Sequence, residues 1–352
     1  MSGHANPGAT LVAPIHAFDV EALAAYVHER VGAFDGPLAV EQFQGGQSNP
    51  TYRVVAGSER LVLRRKPPGT LLPSAHAIER EYRVMSALAG TGVPVPRMRS
   101  LCENPAVIGT AFYLMDYVEG RVLWDPALPG MTPSRRGAHY DELNRVIAAL
   151  HCVDPAAVGL ADFGRSGGYI ERQVARWTKQ YQAGVADRID AMDRLIEWLP
   201  PRIPPGDETR VVHGDFRLDN VIFHPSEPRV LAVLDWELAT LGHPLSDFAY
   251  QAMAWRLAPA QFRGLAGVDL AALGIPSEPD YVATYCRRTG RSALEHWEFY
   301  LIFNMFRIGA ILHGVHSRAL AGNAASADAL ETGGRARLVA DVAWAMAREL
   351  DF

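Results

Sequence analysis

Within VVHGDFRLDNVIFHP, Asp215 and Asn220 stand five residues apart, and the apolar run VLAVLD closes on Asp235 fifteen residues after Asn220. Short apolar strands flank both segments, so the three side chains are expected on adjacent turns. A carboxylate can orient and deprotonate an attacking hydroxyl. An amide oxygen and a second carboxylate are hard ligands for magnesium. Phosphoryl transfer needs that set.

The elements that must position these residues follow from periodicity. Asp19 can cap a helix over 19–31, with Val20, Leu23, Val27 and Val31 on one stripe. Strands LAVEQF and TYRVVA flank the loop QGGQSNP, where Gly45 and Gly46 let the backbone approach phosphates and Ser48 and Asn49 offer donors. The strand RLVLRRK ends at Pro67-Pro68. A helix is expected over 77–89, with Ile78, Glu81, Met85 and Leu88 on one face and Glu79, Arg83 and Ser86 on another. FYLMDYVEG reads as a strand running into a linker, and from about residue 139 the pattern turns helical, interrupted by RVVH and VLAVLDW. The fold class is therefore α+β: a disordered tail over 1–18, a strand-rich lobe over 19–115, a linker over 116–120 and a helix-rich lobe over 121–352. A cleft between such lobes is a favoured ligand site.

HGDFRLDN followed by LDWE resembles the aminoglycoside phosphotransferase and choline kinase superfamily, whose HGDxxxxN stands where protein kinases have HRDxxxxN. The resemblance runs from the glycine loop to at least Tyr250 and includes ALHCVDP. It implies a two-lobed protein-kinase-like fold, with ATP and Mg2+ as cofactors and a small-molecule hydroxyl as acceptor. It maps Asp215 to the catalytic base, Asn220 and Asp235 to the metal ligands, His213 to a structural role and Asp247 to a brace under the loop. Arg217 could stabilise charge on the transferring phosphoryl group, and Glu237 could meet a second metal, the substrate or neither. Asp116 and Val118 fall where the linker would bind adenine through its backbone.

The resemblance puts Arg64 at the position of the phosphate-pairing lysine, while Lys66 shares its strand face, and the sequence leaves open which of the two meets the ATP phosphates. Pro67 leaves Lys66 near the rim, and Arg64 lies about 7 Å deeper along the strand. Glu81, on the apolar face of its helix, needs a cation. Arg64 is therefore expected to pair with Glu81, its planar fork suiting a bidentate contact. LRRKPPGTLLPSAHAIEREYRV and DWELATLGHPLSD are most similar to the branch fused to acyl-CoA dehydrogenases, which favours a hydroxyacyl-CoA-like acceptor over an aminoglycoside. The sequence lacks an APE motif after Asp235, against a protein kinase. The alternative is a nucleotide-binding pseudokinase, kept open by the arginine at the lysine position.

Composition sets the remaining bounds. Of the 352 residues, 49% are apolar and 21% charged, as in ordinary globular chains. A net charge of -5 gives no support to nucleic-acid or membrane partners. Cys102, Cys152 and Cys286 lack metal-ligand spacing. The apolar stretch Phe299–Leu312, interrupted by Asn304 and Arg307, reads as a buried core helix. MSGHANPGAT is unlike a secretory signal, so a cytoplasmic location is expected. The sequence is silent on oligomeric state.

Overall fold

A computed structural model describes residues 9–10, 12–13, 17–43, 49–69, 76–322 and 328–350. The chain divides into two compact units, one of residues 1–124 with 219–239 and one of residues 125–218 with 240–352.

The first unit is built on a six-stranded antiparallel sheet. Its strands are β1 (Ala9–Thr10), β2 (Leu38–Phe43), β3 (Thr51–Ala56), β4 (Glu59–Arg65), β5 (Met98–Cys102) and β6 (Phe112–Asp116), in the order β1-β2-β3-β4-β6-β5. Helix α1 (Val20–Arg30) is capped by the Asp19 carboxylate, which accepts from the backbone of Glu21 and Ala22. Leu23 and Val27 from α1 enter a core with Tyr52, Val54, Leu61, Leu63 and Phe112. Each such buried side chain contributes roughly 1.5–3 kcal/mol. Helix α2 (Ile78–Leu88) buries Ile78, Glu81, Val84, Met85 and Leu88, the face expected from its periodicity.

Two boundaries differ from the sequence reading. Ala9 and Thr10 pair with Phe43 and Gln42, and Val12 and Phe18 pack on the core, so the expected tail of 1–18 contributes an edge strand. The second difference concerns β8 (Val221–Phe223) and β9 (Val230–Val233), which form a hairpin that belongs to the first unit. Arg121 exchanges backbone hydrogen bonds with Phe223, and Val233 N–H donates to Pro94. These pairings span about a hundred residues or more, beyond the reach of local periodicity.

The second unit is mostly helical: α3 (Pro133–Cys152), α4 (Tyr169–Gln182), α5 (Asp190–Trp198), α6 (Pro244–Ala252), α7 (Pro259–Phe262), α8 (Leu270–Leu273), α9 (Glu278–Thr289), α10 (Trp297–Leu320), α11 (Ala329–Gly334) and α12 (Ala336–Leu350). Strands β7 (Arg210–Val212) and β10 (Thr240–Gly242) pair within it, with Val212 opposite Thr240. Helix α10 is buried along most of its length, as expected for the apolar stretch around it. Among the described residues no helix is long and apolar enough to cross a membrane.

Candidate active site

In the first unit, the register of β3, β4 and β6 sets Arg64 opposite Thr51 on one side and Tyr113 on the other. Residues directly opposite in antiparallel strands share a face, so Arg64 and Tyr113 project together. Glu81, only 2% exposed, receives the Asn49 amide at 3.0 Å and the Tyr113 hydroxyl at 3.1 Å. Arg64 Nε lies 3.0 Å from Glu81 Oε2, so the expected ion pair is present. It is not bidentate. The outer nitrogen Nη2 turns instead to Asp235, at 3.1 Å, and stands 3.7 Å from Glu237. One guanidinium thus faces three carboxylates.

The electrostatics follow from that crowding. Burial works against the Arg64 cation, but Glu81, Asp235 and Glu237 more than offset it and hold its pKa above the usual arginine value. Burial pushes Glu81 up to about 7; Arg64 opposes the shift, and the charges of Asp235 and Glu237 add to it. Lys66, by contrast, pairs with the half-buried Glu79. Arg65 points to the opposite face, donating to Thr110 and lying over the Phe18 ring.

The sequence proposed Asn49 as a phosphate donor. Its side chain is 1% exposed, and its amide is committed at both ends, to Glu81 and to His76. It supports Glu81 instead. Gly45, Gly46 and Ser48 lie outside the described residues. At the linker, Asp116 N–H donates to Arg97 and the Asp116 carboxylate pairs with Arg99. Val118 N–H has no backbone partner among the described residues. Val118 itself packs with Val122, Ile222, Ala232 and Leu234.

The β8–β9 hairpin explains how Asn220 and Asp235 come together. Val221 is opposite Val233, and one step outward Leu234 N–H donates to Asn220 O at 2.8 Å. Asn220 and Asp235 therefore flank one end of the same hairpin. Asp235 has φ +64°, a left-handed conformation that a non-glycine residue adopts at a cost. The buried Trp236, whose indole N–H donates to Val233 O at 3.0 Å, holds the turn in place.

In the second unit, the loop after β7 is fastened from below. Asp247, on α6, accepts from His213 N–H at 2.7 Å and Gly214 N–H at 2.8 Å. His151, on α3, places Nε2 3.2 Å from the Asp247 carboxylate and Nδ1 2.7 Å from Tyr285 Oη. Burial works to raise the Asp247 pKa, but the hydrogen bond and charge of His151, with His213, hold it below the usual carboxylate value. His213 is fully buried, and its Nδ1 accepts from Asp215 N–H at 3.2 Å. The Asp215 carboxylate receives the Tyr250 hydroxyl at 2.5 Å, and Arg217 Nε lies 3.2 Å from the same oxygen. Arg307, from α10, donates to Gly214 O.

Sequence reasoning missed His151, Tyr250, Tyr113 and the role of Arg307. ALHCVDP contains His151, and Tyr250 is three residues past Asp247, the helical spacing that puts both on one face. Arg307 was visible only as a charge in an apolar run.

This constellation can be set beside known proteins. A family model described as the phosphotransferase enzyme family, APH, matches residues 39–295. The chain belongs to that family. Acyl-CoA dehydrogenase family member 10 of Mus musculus is 50% identical over 336 residues, covering 94% of this chain and 31% of the mouse protein. Acyl-CoA dehydrogenase family member 11 of Homo sapiens is 43% identical over 338 residues, covering 92% of this chain and 43% of the human protein. The chain thus spans less than half the length of these curated relatives. A structure from Ralstonia eutropha, given provisionally as an aminoglycoside phosphotransferase, has a TM-score of 0.88 and 56% identity, covering 95% of this chain and 99% of that one. A thermostable mutant of aminoglycoside phosphotransferase APH(4)-Ia, in ternary complex with AMP-PNP and hygromycin B, shares the fold at TM-score 0.58 and 17% identity over 91% of this chain and 98% of that one. The APH chain described here accordingly has the kinase-like α+β fold that its HGDFRLDN and LDWE motifs implied.

Proposed function

We propose that this APH-family chain transfers the γ-phosphoryl group of ATP to a hydroxyl of a small molecule, with Asp215 as the base. The observation that carries the reading is the hairpin register that sets Asn220 beside Asp235, with Arg64 linking Asp235 to Glu81. Asn220 and Asp235 would hold Mg2+. Among the described residues no group of three or more His, Cys, Asp or Glu forms a metal cage. That suits magnesium, which takes one or two protein carboxylates and completes its shell with phosphate oxygens and water. When bound, the ion would neutralise charge on the phosphates.

The chain's own residues supply the rest. Asp215 orients the acceptor hydroxyl and takes its proton, while Asp247 and His213 fix the loop. Arg217 would stabilise charge on the transferring phosphoryl group. Arg64, held by Glu81, is the candidate phosphate-pairing cation, with Asn49 as support. Val118 offers a backbone N–H for the adenine edge. Asp116 has its own N–H in the sheet, so it could offer only a carbonyl.

For the acceptor, a hydroxyacyl-CoA or related acyl compound is favoured over an aminoglycoside. The curated relatives are acyl-CoA dehydrogenase family members. Within the second unit Arg217 and Arg307 lie beside Asp215 and its loop, and the one acid described there, Asp247, is committed to backbone N–H groups, a setting that does not favour several ammonium groups. A pseudokinase is the second reading, favoured by the Arg64–Asp235 contact, which places a cation on a proposed metal ligand. Magnesium-dependent ADP release, screened over hydroxylated acyl-CoA thioesters, free hydroxy acids and aminoglycosides, separates the two. Acceptor-dependent turnover is expected with the thioesters. Nucleotide binding without turnover on any acceptor would favour the pseudokinase.

A further inference from the structure

We infer that Tyr250 is a positioning residue for the catalytic carboxylate, held in place by Arg307. The inference rests on the reading of Asp215 as base and adds residues to it. Helix α6 presents Asp247 and Tyr250 one turn apart. Asp247 takes the backbone N–H groups of His213 and Gly214, and Tyr250 takes the side chain of Asp215, with its hydroxyl 2.5 Å from Oδ1. One helix therefore fixes both the path of the loop and the rotation of the carboxylate it carries.

Tyr250 is itself constrained. It is 4% exposed, and the Arg307 guanidinium lies over its ring, 4.9 Å from the centroid. The same guanidinium donates to Gly214 O and lies 5.6 Å from the centre of the Trp177 ring. Arg307 is 5% exposed, so this is a desolvated cation–π contact, the stronger kind. Burial, then the Asp215 charge, keep the phenol protonated well above its usual range, so it donates at working pH. Arg217 approaches the same oxygen, Oδ1, at 3.2 Å. The Tyr250 hydrogen bond, with the Arg217 charge beside the same oxygen, sets the rotation of the group and hence the direction in which it meets an acceptor hydroxyl. A near-attack geometry is lost with small misplacements, so this fastening acts on kcat and not on nucleotide binding.

The test compares wild type, Tyr250→Phe, Asp215→Asn and the double variant. ADP release from magnesium–ATP is followed with 3-hydroxybutyryl-CoA as probe acceptor and with water as background acceptor. ATP affinity and thermal midpoint are measured alongside, and apo crystal structures of wild type and Tyr250→Phe form an arm that needs no acceptor. Phenylalanine keeps the ring under Arg307, so the fold and ATP affinity should hold. Tyr250→Phe should lower kcat about ten- to hundredfold, the worth of one hydrogen bond to a charged group, with KM for ATP unchanged. In the Asp215→Asn background it should add less than about twofold, because the group it positions is gone. The Asp215 carboxylate should occupy more than one rotamer in the Tyr250→Phe crystal. Wild-type kcat in Tyr250→Phe while Asp215→Asn is inactive would overturn this inference alone, as would a carboxylate that stays in its single wild-type rotamer. An active Asp215→Asn would instead overturn the base assignment beneath it.

Discussion

Replacing Glu81 with Gln should stabilise the resting protein at alkaline pH, although it removes one half of a buried ion pair. Breaking such a pair ordinarily costs about 3–5 kcal/mol, because the remaining charge is stranded. Here the remaining charge is not stranded: Arg64 keeps Asp235 at 3.1 Å and Glu237 at 3.7 Å. The carboxylate itself is the strained partner, with a folded pKa of about 7 against an ordinary 4.5. That gap is worth about 3 kcal/mol at about 1.4 kcal/mol per decade. The sign follows from the raised value. Glu81 contributes stability that is fully present below about 4.5 and is lost as pH rises through about 7. Glutamine mimics the protonated acid and lacks this dependence. The difference between Glu81→Gln and wild type should therefore be near zero at pH 4.5 and grow to a gain of about 1–3 kcal/mol at pH 8. The lower end allows for the lost Arg64 contact. Urea denaturation of both proteins at each pH measures it, and the paired comparison cancels titrations elsewhere. A loss of about 3 kcal/mol at pH 8 would show that Arg64 stabilises an ionised Glu81 and would refute the reasoning. Catalysis should move the other way, since Glu81 fixes Arg64.

Asp235→Ala should weaken ATP binding at least tenfold in the presence of magnesium and little in its absence, as read by calorimetric titration. Lys66→Met should change stability by no more than about 1 kcal/mol and leave ATP affinity intact, since its pair with Glu79 is half-exposed; Arg64→Met should weaken ATP binding in the same titration. Asp247→Ala leaves two buried N–H groups without their acceptor, at about 1–3 kcal/mol each, and should lower the denaturation midpoint and abolish transfer together. Because the folded pKa of Asp247 is depressed, its contribution is present above the ordinary carboxylate value and lost as pH falls through the folded one. The stability gap between wild type and Asp247→Ala should therefore narrow below about pH 4, which acid-side denaturation curves would show.

The sequence exposed what is local and left out what is not. Asp215, Asn220 and Asp235 could be named as a candidate base and two candidate hard ligands from residue type, interval and the resemblance of their motifs. The inward turn of Glu81 followed from its place beside Ile78, Met85 and Leu88, and Arg64 was separated from Lys66 by the proline that ends the strand. Asn49 was read as a phosphate donor because a glycine-rich loop suggests phosphate contact, whereas the partner it has in the fold, Glu81, lies 32 residues away and no spacing rule reaches it. The same blindness hid the return of residues 219–239 to the N-terminal unit, which depends on pairing of Arg121 with Phe223. Arg307 looked like a flaw in an apolar helix. Only the fold shows the Gly214 carbonyl and the aromatic rings that accommodate a buried cation there.

In the proposed function Asp215 directs the γ-phosphoryl group of ATP to a hydroxyl. A single-turnover experiment with γ-labelled ATP, magnesium and a panel of hydroxyacyl-CoA thioesters tests it most directly, with Asp215→Asn run in parallel. The label should appear on the acceptor oxygen with wild type, and transfer by Asp215→Asn should be slower by about 10²–10⁴-fold at undiminished ATP affinity. Label that stays on ATP with every hydroxylated acceptor, or that moves as fast in Asp215→Asn as in wild type, would contradict the account.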